Sequence, residues 1–130
     1  MVIDTSAIVA ILLNEAPADR LIAALDADRA RLVSAATVVE ASLVVLGRYG
    51  DAGDPQLDRL LAGIGAKVVP VGEEQVALAR DAAARYGRGR HAAGLNFGDC
   101  FSYALAVETG EPLLFVGDDF AKTDVKACAW

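Results

Sequence analysis

The chain has 130 residues, 55% of them hydrophobic, and a formal net charge of −6. This length fits one domain, residues 1–130, with a core of its own, and no apolar run reaches the roughly 18 residues that a membrane span needs. The negative charge excludes binding of nucleic acid through a broad basic face, so any such contact has to be local or bridged by a metal ion.

The N-terminal stretch and the cysteines both indicate a cytoplasmic protein. No basic segment precedes the first apolar residues, and Asp4 stands where a secretion signal would build its hydrophobic stretch. Cys100 and Cys128 are too few and too far apart for a disulfide framework or a metal-ligand set. We expect both to be small, buried side chains in a reducing compartment.

Short apolar runs alternate along the chain with segments of helical periodicity. The predicted strands are residues 1–3, 31–33, 67–69 and 113–116. The predicted helices are residues 7–13, a segment from Pro17 to about 25, residues 36–49, 54–64 and 73–86, and a last helix that begins at Asp99 or Cys100. This alternation predicts an α/β fold, a three-layer α/β/α sandwich whose central sheet is mainly parallel.

The spacing of apolar residues also predicts which side of each helix faces the core. On the helix over 36–49, the inward side chains are predicted to be Val38, Val39, Ser42, Leu43 and Leu46. On the helix over 73–86 they are Val76, Leu78 and Ala79, and on the last helix they are Phe101, Ala104, Leu105 and Ala106.

Acidic residues recur where the predicted strands end and helices begin. Asp4 ends the first strand, Glu40 lies near the start of the helix after the second, and Asp99 opens the last helix. Asp118 and Asp119 follow the last strand. Because the carboxyl ends of parallel strands share one edge of a sheet, where ligands bind, we expect these carboxylates to meet there.

Two explanations fit this acidic set. Taken singly, Asp4, Asp99 and Asp118 are plausible helix caps, and Thr37-x-x-Glu40 matches a capping box. Taken together, carboxylates within ~4 to 6 Å of one another would repel by roughly 1 to 4 kcal/mol per pair unless a cation lies between them. An all-oxygen ligand set favours Mg²⁺ or Mn²⁺.

What the chain lacks limits the chemistry of this edge. With His91 as its single histidine, the chain cannot be a two-histidine ribonuclease, and a Ser-His-Asp triad has no support. It contains neither a Walker loop nor a dinucleotide fingerprint. An acidic, metal-binding edge beside a basic loop leaves phosphodiester hydrolysis by metal-activated water as the predicted chemistry.

The one basic loop of the chain comes shortly before the last predicted helix. Its four basic residues are predicted to contact the backbone of an anionic substrate: Arg85, Arg88, Arg90 and His91. Tyr86, in the same loop, could stack on a base. The alternative is a solvated loop that keeps the protein soluble.

Together, four segments of the chain resemble those of the PIN-domain ribonucleases, and within them of the VapC-type toxins of VapBC toxin–antitoxin pairs. The segments are Val-Ile-Asp-Thr-Ser at 2–6, Ser-Ala-Ala leading to Glu40, Gly-Arg-Gly-Arg-His through Leu-Asn-Phe-Gly-Asp-Cys at 87–100, and Pro-Leu-Leu-Phe through Gly-Asp-Asp-Phe at 112–120. The resemblance covers essentially the whole chain, and its specificity comes from the combination, since each segment alone is weak.

The resemblance implies a Mg²⁺-dependent endoribonuclease, with Mn²⁺ as the alternative ion, that is inhibited by a cognate VapB-type antitoxin and forms a homodimer. It assigns catalytic and metal-binding roles to four carboxylates: Asp4, Glu40, Asp99 and Asp119. The fourth position can be Asp118 or Asp119: the Asp-Phe pair at 119–120 points to Asp119, and Asp118 beside it could bind the ion through water. Three polar residues resemble those that support the acidic cluster: Thr5, Ser6 and Asn96.

Two further functions stay open. A receiver-like signalling module would also be three-layered, with an acidic magnesium pocket and a phosphorylated aspartate, although no lysine near the last strand is well placed to pair with the phosphoryl group. A PIN-fold protein that only binds a partner would keep the fold without the chemistry.

An antitoxin would suit a groove lined by the early helices. The first helix offers more apolar residues than one core face requires: Ile8, Ile11, Leu12 and Leu13. The alternative is that this helix is buried on two sides.

Overall fold

Four parallel strands form the central sheet in a computed structural model that describes residues 1–130. They are β1 (Val2–Ile3), β2 (Leu32–Ser34), β3 (Lys67–Val69) and β4 (Leu113–Leu114), and their order across the sheet is β3-β2-β1-β4. Every neighbouring pair is parallel. The predicted parallel sheet is therefore confirmed, and β1, with Asp4 at its end, lies inside the sheet and not at its edge.

Six α-helices connect and cover these strands. They are α1 (Thr5–Leu12), α2 (Ala18–Ala27), α3 (Ala35–Tyr49), α4 (Gly53–Gly63), α5 (Glu73–Tyr86) and α6 (Phe97–Thr109). Two short 3₁₀ turns, Gly50–Ala52 and Phe120–Lys122, complete the chain. None of the helices is long and apolar enough to span a membrane.

Side chains that alternate along the strands enter two separate cores. On β1, Val2 points into the core formed with α5 and α6, whereas Ile3 points into the core formed with α1 to α4. Leu113 and Leu114 of β4 divide in the same way. Because both faces of the sheet are buried under helices, the predicted three-layer α/β/α sandwich is confirmed.

Caps on three helices define where the acidic residues stand. Asp4 caps α1, so this helix begins two residues earlier than predicted. Ser34 caps α3, and the predicted capping box at Thr37 and Glu40 is wrong, because the Thr37 side chain is buried with its Oγ1 3.1 Å from Ser102 Oγ. Asn96 caps α6, which begins before Asp99.

The predicted inner face of α3 is wrong by a rotation of the helix. The buried side chains are Thr37, Ala41 and Val45, whereas Val39 and Leu43 are 60% and 65% exposed. On α5 the prediction is right for Ala79, which is buried with Ala82, and wrong for Val76, which is 44% exposed. Small residues at the contact let these helices pack closely on their neighbours, so the larger apolar side chains that dominate the periodicity are left outside. On α6 the prediction holds, with 104–106 buried.

We expect Gly53→Ala to destabilise the protein by about 1 to 3 kcal/mol, because overpacking at a helix contact forces the backbone to shift. A Cβ at Gly53 would lie 2.7 Å from the backbone carbonyl of Val45, where α4 meets α3. Gly63→Ala, in the same helix with nothing within 4 Å of its Cβ, is the matched control. Urea unfolding of the two variants measures the difference, and equal midpoints would contradict the expectation.

Candidate active site

Asp4 lies at the carboxyl end of β1 and is only 2% exposed. Its backbone N–H donates to Leu114 O at 3.0 Å, and its Oδ2 accepts from the backbone N–H and the hydroxyl of Ser6 at 2.9 and 2.6 Å. The other carboxylate oxygen, Oδ1, is buried and has no hydrogen-bond partner. A buried acceptor without a partner is costly, so Oδ1 is available to a cation or to a donor carried by a ligand.

Ser6 ties Asp4 to the end of the last strand. Its hydroxyl donates to Asp4 Oδ2 and accepts from the Val116 backbone N–H at 3.0 Å. Two hydrogen bonds to one hydroxyl fix both the rotamer of the carboxylate and the direction in which the chain leaves β4.

Glu40 reaches the same region from the second turn of α3. Its Oε2 accepts a hydrogen bond from the hydroxyl of Thr5, the first residue of α1. Its carboxyl group also lies against Gly98, where a Cβ would be only 2.0 to 2.2 Å from the carboxyl atoms. The position of Glu40 therefore depends on a hydroxyl on one side and on the missing side chain of a glycine on the other.

Asp99 is the third residue of α6 and shares a capping box with Asn96. Asp99 Oδ2 accepts from the Asn96 backbone N–H at 2.7 Å, and Asn96 Oδ1 accepts from the Asp99 backbone N–H at 2.9 Å. The pKa of Asp99 is raised to about 6, mainly by burial and also by the charges of Asp4, Glu40 and Asp119, while the Asn96 hydrogen bond acts in the opposite direction. Asp99 thus takes part in the cap of α6, and its pKa also responds to the charges of three other carboxylates.

Asp118 and Asp119 follow β4 on an exposed turn. The turn is shaped by Gly117, whose φ of +102° favours glycine. Of the two, Asp119 is the residue whose charge contributes to the raised pKa of Asp99. This observation favours Asp119 over Asp118 as the fourth acidic residue, in the register that the Asp-Phe pair indicated.

The acidic residues do not form a ready metal cage. No three carboxylate, histidine or cysteine side chains lie close enough together to hold an ion. Their chemistry nevertheless fits a hard divalent cation, since every donor is an oxygen, Asp4 Oδ1 has an unused acceptor site and Asp99 is partly desolvated among like charges. A cation bound among these groups would offset the repulsion between their charges.

Arg85 is engaged in ion pairs away from this edge. Its guanidinium lies 2.7 Å from Asp124 and 3.3 Å from Asp81, and it covers the Tyr86 ring at 4.7 Å. Tyr86 is itself buried and also packs against Tyr103. The prediction that Tyr86 stacks on a base is therefore wrong, and a substrate would have to compete with Asp124 for Arg85.

The other three basic residues of the loop are exposed: Arg88, Arg90 and His91. Neither of the two arginine side chains forms an ion pair with a carboxylate. The backbone N–H of Arg88 donates to Leu95 O at 3.1 Å, and this hydrogen bond closes the base of the loop. The His91 ring packs edge-on against Tyr86 at 5.2 Å, and its Nδ1 accepts from the Ala93 N–H. Their role in substrate binding stays a prediction.

Two residues of the site were missed in the sequence, although both stand inside the motif at 95–100. Gly98 makes room for Glu40, and Phe97 is 82% exposed at the start of α6. Asn96 is a residue type that commonly caps a helix, and with Asn96 as the cap the helix begins at Phe97. That signal in the sequence would have placed Phe97 and Gly98 in the first turn.

Comparison with known proteins identifies the family. The PIN domain model matches residues 1–126. Ribonuclease VapC30 of Mycobacterium tuberculosis is 50% identical over 129 residues, covering 99% of this chain and 98% of that protein. Ribonuclease VapC of Mycolicibacterium smegmatis is 50% identical over 127 residues, with 98% of each chain covered.

Solved structures show the same fold at low sequence identity. The crystal structure of Mycobacterium tuberculosis VapC20, described as a sarcin-ricin loop cleaving toxin, superposes with a TM-score of 0.78 at 15% identity over 95% of both chains. A toxin–antitoxin complex from Klebsiella pneumoniae gives a TM-score of 0.68 at 17% identity, over 95% of this chain and 92% of that one. With a PIN model that spans nearly the whole sequence and VapC relatives that share half of its residues, the chain belongs to the PIN-domain family and, within it, to the VapC ribonucleases.

Proposed function

We propose that this VapC-family chain is the endoribonuclease toxin of a toxin–antitoxin pair, and that it hydrolyses RNA phosphodiester bonds with water as nucleophile and Mg²⁺ or Mn²⁺ as cofactor. The observation that carries the proposal is the raised pKa of Asp99, to which the charges of Asp4, Glu40 and Asp119 contribute from three other parts of the chain. A carboxyl group whose pKa is raised by burial and by the charges of neighbouring carboxylates is typical of a functional site. The RNA substrate also places the proposed activity in the cytoplasm.

The four carboxylates differ in what holds them. Asp4 accepts from Ser6 through Oδ2 and leaves Oδ1 without a partner. Asp99 accepts from the Asn96 backbone N–H through its Oδ2. Glu40 rests on Thr5, and Asp119 stands on the exposed turn after β4. Thr5, Ser6 and Asn96 are thus positioning residues, and Asp118 could add a contact through water.

A divalent ion bound by these oxygens would lower the pKa of a water molecule and offset the charge that develops on the phosphate. The chain's own part is to hold the RNA so that one phosphate reaches this edge. Arg88, Arg90 and His91 stand exposed on the loop before α6 and can contact neighbouring phosphates. In a chain with a net charge of −6, this local cluster is where an anion can approach.

A VapB-type antitoxin and a second copy of the chain are the proposed protein partners. The Klebsiella pneumoniae neighbour is described as a toxin–antitoxin complex, which supports the first of these for this chain. In the groove expected for the antitoxin, Ile8 is fully buried, while Ile11, Leu12 and Leu13 are half-buried. The first helix is therefore largely committed to the core, and the partly exposed residues are those left for a partner.

Membership of the PIN-domain family excludes the receiver-like alternative. A PIN-fold protein that only binds a partner would not respond to the metal. Millimolar Mg²⁺ that left the unfolding temperature unchanged would favour that reading over ours, because a ligand that binds only the folded state raises its stability.

The direct test is cleavage of a mixed RNA by the purified, antitoxin-free protein. We expect cleavage with Mg²⁺, none with EDTA, and a loss on the order of a thousandfold in Asp4→Asn, which keeps the shape of the side chain and removes the charge. Asp58→Asn, an exposed aspartate of α4 with no hydrogen-bond partner, should cut like the wild type. Cleavage that persists in EDTA or in Asp4→Asn would refute the proposal.

A further inference from the structure

Asp119 is the one carboxylate of the acidic set that no hydrogen bond holds. Its side chain is exposed and makes no cap bond, whereas Asp4, Glu40 and Asp99 each accept a hydrogen bond. Only the Asp119 backbone is engaged, through the carbonyl that accepts from the Lys122 N–H at 3.3 Å. The position of this carboxylate therefore depends on what anchors the chain after it.

The residues just after Asp119 form a compact turn. Phe120 is buried, and its ring packs against that of Phe115 with centroids 5.1 Å apart. Thr123 closes the turn, because its backbone N–H and its hydroxyl both donate to Phe120 O, at 3.0 and 2.8 Å. The attachment of this turn to the helices is made by the next residue, Asp124.

Asp124 joins the turn to two helices, because each of its carboxylate oxygens has a different partner. Its Oδ1 accepts from the Tyr103 hydroxyl of α6 at 2.6 Å, and its Oδ2 accepts from the Arg85 guanidinium of α5 at 2.7 Å. We call these three residues the Asp124 cluster. Tyr103 is buried and stands about one helical turn after Asp99. The cluster thus attaches the turn that follows Asp119 to the helix that carries Asp99.

The fold should survive loss of this cluster. The Arg85 and Asp124 side chains are 46% and 53% exposed, and exposed ion pairs add little to stability. The geometry is nevertheless definite, because hydrogen bonds from Tyr103 and Arg85 lower the pKa of Asp124 and keep its carboxylate ionised. Removing the cluster should therefore displace the turn more than it unfolds the protein.

The cluster also borders the basic loop, which supplies the alternative explanation. Arg85 donates to the Tyr86 hydroxyl at 2.6 Å, and the His91 ring packs on Tyr86. The loop, however, has closing bonds of its own, among them the Leu95 N–H to Tyr86 O bond of 3.0 Å. Since the Asp119 side chain has none, the turn depends on the cluster more than the loop does.

We propose that Asp124 is a positioning residue of the nuclease site, which with its two partners in the cluster holds the turn after β4 so that Asp119 stays near the other carboxylates. The inference rests on the proposed function, because Asp119 acts there as the fourth metal-binding residue. It also assigns a role to Arg85, the basic residue that is not free for substrate. Asp124 contacts neither the ion nor the RNA, and its effect passes through Asp119.

Binding of Mn²⁺, followed by the electron paramagnetic resonance of the free ion, tests the inference without RNA. Asp124→Asn should weaken binding by about 10-fold, the lower end of the range for supporting contacts at metal sites. Tyr103→Phe, which keeps the buried ring and removes the hydroxyl, should weaken it by less. Asp81→Asn is the matched control and should bind like the wild type, since Asp81 also pairs with Arg85, at 3.3 Å, but lies within α5.

A double-mutant cycle shows whether the effect passes through Asp119. Asp119→Asn should itself weaken Mn²⁺ binding, and adding Asp124→Asn to it should change the affinity by less than about twofold. Losses that multiply would mean that Asp124 supports the protein in general, which would overturn the inference. Mn²⁺ binding by Asp124→Asn equal to that of Asp81→Asn would overturn it as well.

RNA cleavage in Mg²⁺ separates this inference from the proposed function. Asp124→Asn should lower kcat and leave KM for RNA unchanged, whereas a raised KM with normal Mn²⁺ binding would assign the cluster to the basic loop and overturn the inference alone. The expected order of Mn²⁺ affinities in a protein that cuts no RNA would refute the function and retain the positioning role. Circular dichroism checks the fold of each variant, and Tyr103→Phe carries the test if Asp124→Asn unfolds.

Discussion

Asp99→Asn is expected to abolish RNA cleavage and, at the same time, to make the metal-free protein more stable at pH 7. The activity should fall on the order of a thousandfold, since one of the charges that hold the ion is lost. The amide keeps a similar shape, and its oxygen can still accept from the Asn96 N–H, so the capping box of α6 survives. What disappears is a carboxylate that burial and three like charges disfavour.

The stability effect has a defined pH dependence. In the folded protein the pKa of Asp99 is about 6, above its ordinary value of 3.8, so the folded state retains a proton that the unfolded chain releases between these values. At pH 3 and below, Asp99 is mostly protonated in both states, so its raised pKa does not lower the stability of the fold. As the pH rises, the ionised carboxylate lowers the free energy of unfolding, and this loss is complete above pH 6. The shift in pKa corresponds to no more than about 3 kcal/mol, which solvent screening of this half-buried group reduces to roughly 1 to 2 kcal/mol.

Urea unfolding of wild type and Asp99→Asn in EDTA, from pH 3 to pH 7.5, measures this difference. The stabilities of the two proteins should be most alike near pH 3 and separate towards pH 7.5, with the variant more stable. Added Mg²⁺ should then stabilise the wild type and have little effect on the variant. Asp58→Asn should follow the wild type throughout, and an Asp99→Asn protein that is less stable at pH 7 would show that the carboxylate is a structural cap alone.

The fold was predictable because a parallel sheet covered on both faces leaves a plain pattern, short apolar runs separated by helical segments. The strand at 67–69 was found with its observed bounds. The inner face of α3 was not, because the contact depends on Ala41 and the other small residues, whereas the periodicity of large side chains points to Leu43 and its neighbours.

The acidic positions were predictable for a related reason, since Asp4 and the pair 118–119 follow strands, and Glu40 and Asp99 lie near the starts of helices. Local sequence could not decide between Asp118 and Asp119, because both stand on one exposed turn and only the charge of Asp119 contributes to the raised pKa of Asp99. Nor could it show that Arg85 pairs with Asp124, which lies 39 residues further along the chain. Contacts of that range have no local pattern.

Gly98→Ala is expected to lower kcat/KM for RNA by about 10- to 100-fold, the size of effect seen when a positioning contact at a metal site is lost. The added methyl would lie 2.0 to 2.2 Å from the carboxyl atoms of Glu40, so this flexible side chain has to swing away and release the Thr5 hydroxyl. The fold should be little affected, because alanine stabilises a helix by about 1 kcal/mol relative to glycine, which offsets the displaced contact.

Gly47→Ala is the matched control, since Gly47 lies in the same helix as Glu40 and has nothing within 4 Å of an added Cβ. It should gain about 0.5 to 1 kcal/mol in stability and cut RNA at the wild-type rate. A double variant separates the steric cause from other effects, because Glu40→Asp shortens the side chain and leaves room for the methyl. Gly98→Ala should therefore cost far less activity in the Glu40→Asp background than alone, a coupling that single-turnover cleavage measures directly. Full additivity of the two losses, or a Gly98→Ala protein as active as Gly47→Ala, would mean that Gly98 does not hold Glu40 in its working position.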